Sequence, residues 1–177
     1  MATDESKWLA LSMRQPWYWA VEHAGKRIEN RDWATHYRGP LILHAARGCE
    51  PAEYEEAVGW MVSRSLAVRH GTPANRVNAT LPAAPPLERM RRGGFGLIVE
   101  VTAVMPRGDA VEQMQLRGHA PRVDMRWKMP DRCGFVLTRV QALPWAPGRG
   151  MPGLFPVGAE VVAALGLPAD RQQWRWP

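Results

Sequence analysis

The chain has 177 residues, 46% of them hydrophobic, with 23 Lys and Arg against 17 Asp and Glu for a net charge of +6 and a pI near 10.0. That composition supports one domain with a substantial core. It holds no apolar run of about 18 residues to span a membrane, and the solitary Cys49 and Cys133 lack the spacing of a disulfide framework or a cysteine zinc site. Two lone cysteines behind a polar, acidic start (Met1 to Ser6) lead to the expectation of a reducing, cytoplasmic setting without a secretory leader. The basic charge and nine tryptophans leave two readings open. Aromatic and guanidinium planes stack on bases while the charge meets phosphates, or the tryptophans fill the core and the arginines maintain solubility.

Trp8 to Ser12 alternates as a short first strand. Pro16 suits a first helical position, and Trp17, Ala20, Val21 and Ala24 recur at helical spacing, with Gly25 as the stop. Arg27 to Trp33 reads as a second strand and Pro40 to Ala45 as a buried third. Pro51 opens a helix to about Leu66, with Glu50, Glu53, Glu55 and Glu56 near its positive N-terminal end. The stretch from Arg69 to Gly94 has no period and is rich in Pro, Ala and Arg, which predicts a long loop. Gly96 to Val104 is the strongest strand signal. A second irregular stretch, about 117–132, precedes a strand beginning at Cys133. "PWAPGRGMPGLFPV" reads as a turn-rich loop, and Gly158 to Leu165 as a short helix. These elements predict a single α+β domain over 1–177, built on a small mixed-strand barrel with two to three flanking helices.

Charge is unevenly placed. Arg64, Arg69, Arg76, Arg89, Arg91 and Arg92, against Glu88 alone, give residues 64–94 a charge of +5 out of the chain's +6. The insertion at about 67–94 therefore reads as a basic arm on a nearly neutral domain.

The segment "LSMRQPWYWAVEHAGKRIENRDWATHYRGPLILHAARG" resembles the ASCH domain, named for homology to the activating signal cointegrator. Its G-x-K-x-x-E-x-R pattern falls on Lys26, Glu29 and Arg31. The flanking motifs fall on Ser12 to Trp17 and on Tyr37 to Ala45, and the final R-G-x-x-G-L-F turn on Arg149 to Phe155. Ala24 replaces the pattern's first glycine, and Glu100 stands where a glycine is common. The resemblance implies a PUA-like β-barrel related to domains that bind RNA and modified bases. It also implies two possible activities: a short bacterial subgroup hydrolyses N4-acylated cytidines with a lysine, a threonine and a glutamate, and a member has been described as a ribonuclease. The hydrolytic threonine is Glu29 here.

If Arg27 to Trp33 is a strand, Arg27, Glu29, Arg31 and Trp33 share one face, and Lys26, at the turn, leans over either face. Burial lowers a lysine's pKa and a neighbouring carboxylate raises it. Lys26 is thus a candidate oxyanion stabiliser, base or nucleophile, with Glu29 orienting it or passing a proton, and Glu100 is a tentative second carboxylate. The competing reading is an ion network that only ties the strand down. A lysine at a turn also leads to the expectation that replacing it costs little stability. Arg31 offers a fork to a phosphate or pyrimidine carbonyl. Arg14 and Gln15 are candidate cleft donors, Trp33 and Tyr37 candidate stacking surfaces, His44 a core or pocket residue, and Arg89, Arg91, Arg92 and Arg149 candidate phosphate contacts. Scattered histidines give no metal spacing, and neither a cofactor nor an obligate protein partner is expected. The expected partner is RNA, another single-stranded nucleic acid or a modified nucleoside.

Overall fold

The computed structural model describes residues 6–67, 82–108 and 123–177. In chain order its elements are β1 (Leu9–Met13), α1 (Trp17–His23), β2 (Ile28–Arg31), β3 (Gly39–Ala45), α2 (Pro51–Ala67), β4 (Gly94–Met105), β5 (Cys133–Pro147), β6 (Leu154–Pro156) and α3 (Ala159–Ala164). Short 3-10 turns occupy Leu87–Arg89, Met125–Trp127 and Arg171–Gln173. The strands form one mixed sheet in the order β2-β5-β4-β3-β1-β6, with β1 and β3 parallel and the other neighbours antiparallel. The sheet curls into a half-barrel, and the expected α+β class with flanking helices holds.

The curl follows from two apolar faces. Leu11, Met13, Leu41, Leu43, Leu97, Val99, Val101, Phe135 and Leu137 alternate along their strands into one inner cluster. Their neighbours Ala10, Ile42 and Ile98 turn outward, to be covered by α3 residues Val161 and Val162 and by Trp174 and Trp176. A third cluster joins Ala20 of α1, Met61 of α2, Ile28 of β2 and Trp127. Register shifts between β4 and β5, at Phe95/Leu97, Ile98/Glu100 and Val101/Ala103, sharpen the bend of this long pair.

Several boundaries differ from the sequence expectation, each for a pairing reason. The second strand is Ile28–Arg31 because Arg31 pairs with Cys133, where β5 begins, so Asp32 and Trp33 have no partner strand. Pro16 is the N-cap of α1 rather than its first residue. Gly25 does end the helix, at φ +67. β5 runs on through Pro147 because Gly94 and Phe95 pair with Pro147 and Ala146, which takes the start of the expected turn-rich loop into the sheet. Leu154–Pro156 become β6 against β1. Residues 68–81 and 109–122, with Arg69 and Arg76, lie outside the described residues. The described end of the basic insertion is docked: Tyr54 donates to the Pro85 carbonyl, Gln15 to the Arg91 carbonyl at 2.7 Å, and the Gly93 amide to Ala45.

Candidate functional site

One cleft of about 1160 Å³ opens where the ends of β1 and β3, the start of α1, residues Glu29 to Arg31 of β2 and the 147–152 segment converge. Strand register explains how β2 supplies its floor. Glu29 lies opposite Phe135, an inner-cluster residue, while Ile28 lies opposite Val136 of the third cluster. Period two therefore turns Glu29 into the open end of the half-barrel. It also brings Arg31 to the same side, but Arg27 turns back to the Val21 and Lys26 carbonyls and does not line the cleft.

Lys26 does not lean freely from the turn. Its side chain is 1% exposed, and Nζ donates to the Ile28 carbonyl at 2.5 Å and to Glu29 Oε2 at 2.5 Å. It also lies 5.9 Å from the Trp17 ring centroid. Burial pushes the Lys26 pKa below its ordinary value, Glu29 partly offsets that by charge and hydrogen bond, and Arg31 adds to the lowering. Glu29 Oε1 meets Arg31 Nη2 at 3.1 Å, and the same Nη2 donates to the Ser12 carbonyl at 2.5 Å. Arg31 Nε is buried without a hydrogen-bond partner. Lys26, Glu29 and Arg31 are thus one continuous network, and its last bond ties β2 to β1 across the mouth of the half-barrel.

Around that floor the cleft is basic. Arg14, Arg31, Arg47, Arg132, Arg149 and Lys26 line it against two carboxylates, Glu29 and Asp32. Arg14, Arg47, Arg132 and Arg149 are exposed, although Arg14 is paired with Glu53 of α2. His44 lines the cleft from beneath. Its ring is packed 4.7 Å from Phe95, and its two nitrogens lie 3.1 Å from Ser12 Oγ and 3.2 Å from the Gly148 carbonyl. Burial lowers its pKa, and the Gly148 hydrogen bond opposes the shift.

Other expected site residues lie elsewhere. Trp33 packs edge-on to Phe135 at 5.1 Å. Tyr37 donates to the Pro40 carbonyl and carries the Arg171 guanidinium over its ring, so both close the inner cluster rather than offer faces to a base. Gln15 is 3% exposed, with its amide nitrogen given to Arg91 O and its oxygen accepting the Trp19 amide. Glu100 sits between inner-facing Val99 and Val101, so the pleat aims it at the opposite face, where it pairs with Arg139 at 3.2 Å. It is no second carboxylate for Lys26. Arg89, Arg91 and Arg92 are exposed but do not line the cleft. Arg91 stacks over Trp145 and Arg92 reaches the Arg47 carbonyl. None of the nine tryptophans is exposed, and among them Trp17 alone lines the cleft, so most of the aromatic excess is packing.

Sequence reasoning passed over Ser12, Arg47 and Arg132 as cleft residues. Ser12 lies within the recognised motif, and Arg47 stands three residues after His44, a signal that the sequence offers. Nothing in spacing marks Arg132, which the irregular stretch before β5 carries into the wall. Among the described residues no group of three or more His, Cys, Asp or Glu is placed to hold a metal ion, and no helix is long and apolar enough to cross a membrane.

The ASCH domain family model matches residues 11–142. The match spans most of the chain, from β1 into β5, and takes in the entire Lys26–Glu29–Arg31 network. The chain belongs to the ASCH domain family. Searching the curated proteins finds no match. The cleft wall at 147–152 lies beyond the matched span.

Proposed function

We propose that this protein binds single-stranded RNA, with one base in the cleft over the Lys26–Glu29–Arg31 floor and the flanking phosphates on the exposed arginines. The observation that carries the reading is the cleft's construction: a hydrogen-bonded, ion-paired polar floor within a wall of four exposed arginines. A polyanion is attracted by such a wall. The volume, about 1160 Å³, exceeds the roughly 300–1,000 Å³ of pockets for single small molecules, which favours a short stretch of chain over a lone nucleoside. Trp17 offers the aromatic surface on which a base would stack.

A second reading is hydrolysis of N4-acylcytidine amides. The lowered pKa of Lys26 beside Glu29 favours it, since an amine that loses its proton readily serves as a base. Against it, Nζ is buried and already bonded to two acceptors, and Glu100 is turned away. Among the described residues, no pair is singled out as the acid and base of a ribonuclease. Titration of labelled single-stranded RNA tests the first reading: wild type binds, and replacing Arg47, Arg132 and Arg149 together with alanine abolishes binding without unfolding the domain. Unchanged affinity in that variant would defeat it. Cytidine released from N4-acetylcytidine by wild type, and not by Glu29→Gln, would favour the second.

A further inference from the structure

His44 is enclosed by apolar rings and by the 147–152 segment. Its Nε2 lies 3.2 Å from the Gly148 carbonyl, an acceptor only, so Nε2 carries the hydrogen and Nδ1 is left as an acceptor. Ser12 Oγ, 3.1 Å from Nδ1, is also 3.2 Å from the Met151 carbonyl. Its single hydrogen serves one of these two acceptors at a time. Between those contacts sits Gly150, whose backbone is pressed against the pair: a Cβ there would overlap His44 Nδ1 and Cε1 and Ser12 Oγ. The residues on either side of Arg149 are therefore held, Gly148 through its carbonyl and Gly150 by close packing, and Met151 beyond them through its carbonyl. Gly148 is also anchored by its amide, which donates to Gly93 at 3.1 Å. Phe95 at 4.7 Å and Phe155 at 6.4 Å fix the imidazole's plane.

We propose that Ser12, His44 and Gly150 form a latch that fixes the 147–152 segment as one wall of the cleft, so that His44 is a positioning residue for Arg149 and does not itself meet the ligand. The latch acts through preorganisation. A segment already held in its binding geometry has less freedom to lose when Arg149 meets an anion. The same geometry argues against Ser12 as a nucleophile, because Gly150 lies against its oxygen. The positioning step rests on the phosphate-binding reading given above, whereas the latch itself can be seen in the free protein.

Gly150→Ala adds one methyl group and changes no charge. In the free protein it should speed exchange of the Gly148 amide, which is bonded to the Gly93 carbonyl, while exchange in β3 and β4 away from Gly93 stays as in wild type. His44→Phe should do the same, and His44→Gln, which keeps a donor, should retain most of the protection. With a labelled oligouridylate 12-mer, Gly150→Ala should weaken binding about three- to tenfold, the scale of one lost phosphate contact. Arg149→Ala should lose about as much, and the double variant no more than the larger single loss. Unchanged exchange in Gly150→Ala overturns the latch. Faster exchange with wild-type affinity, or losses that simply add, overturns the positioning role. If wild type binds no oligonucleotide, the proposed function is what fails, and the latch is judged by the exchange data alone.

Discussion

Glu29 is held by two cations, with Lys26 on one oxygen and Arg31 on the other. At 1% and 8% side-chain exposure, the Lys26–Glu29 pair has lost most of its water, and removing one partner strands a buried charge. Lys26→Ala should therefore cost about 3–5 kcal/mol in urea unfolding, contrary to what a lysine at a turn suggests. Lys26→Met with Glu29→Gln, which removes both charges, should recover much of that loss. A single-variant cost below about 1 kcal/mol, the scale of a surface pair, would show the network to be looser than its geometry. His44 gives a pH prediction with a defined sign. Burial holds its folded pKa below 6.5, so on acidification the unfolded chain binds a proton first. The stabilisation is complete above about 6.5 and is lost as pH falls from there through the folded value. Wild type should accordingly lose more stability than His44→Gln between pH 7.5 and 5, and an imidazole NMR titration should give a midpoint below that of a free histidine. Parallel stability curves would refute it.

At the level of elements, β2 is the vulnerable one. It is four residues long, pairs only with β5 and forms an edge of the sheet. Arg31 compensates by reaching from β2 to the Ser12 carbonyl on β1, a strand separated from it in sheet order by β5, β4 and β3. Ser12 lies beyond the β1–β6 pairing, which ends at Leu11, so its carbonyl is open to that donor. Arg31→Leu leaves this carbonyl without its donor and Glu29 with one cation fewer. A loss of about 2–4 kcal/mol is expected, together with faster amide exchange in Ile28–Arg31 than in β4. Uniform exchange across both strands would mean that Arg31 does not close the half-barrel. The alternating strands, the α1 stripe and the Gly25 stop were legible from local pattern alone. The true ends of β2 and β5 were not, because they depend on which residues find partners in another strand.

Over the whole molecule, the charge splits into a wall inside the cleft and an exposed set on the described end of the basic insertion. If Arg14, Arg47, Arg132 and Arg149 each meet a phosphate, the log-log salt slope for single-stranded RNA should be about −3, at roughly −0.7 per contact. Replacing Arg89, Arg91 and Arg92, which do not line the cleft, should leave most of that slope in place. A slope that collapses in this triple variant would move the phosphate path from the cleft to the insertion.

The order of residues was sufficient for the α+β class, the family, and the prominence of Lys26, Glu29 and Arg31, since periodicity and short motifs are local properties of the chain. It could not say that Lys26 is buried, that Glu100 turns away from it, or that Trp33, Tyr37 and Gln15 are occupied by packing and backbone bonds. Those outcomes depend on which face of the curled sheet each side chain meets and on which neighbours reach it first. Arg47, Arg132 and Arg149 are distant in sequence, and it is the convergence of three chain segments at the open end of the half-barrel that gathers them around one floor.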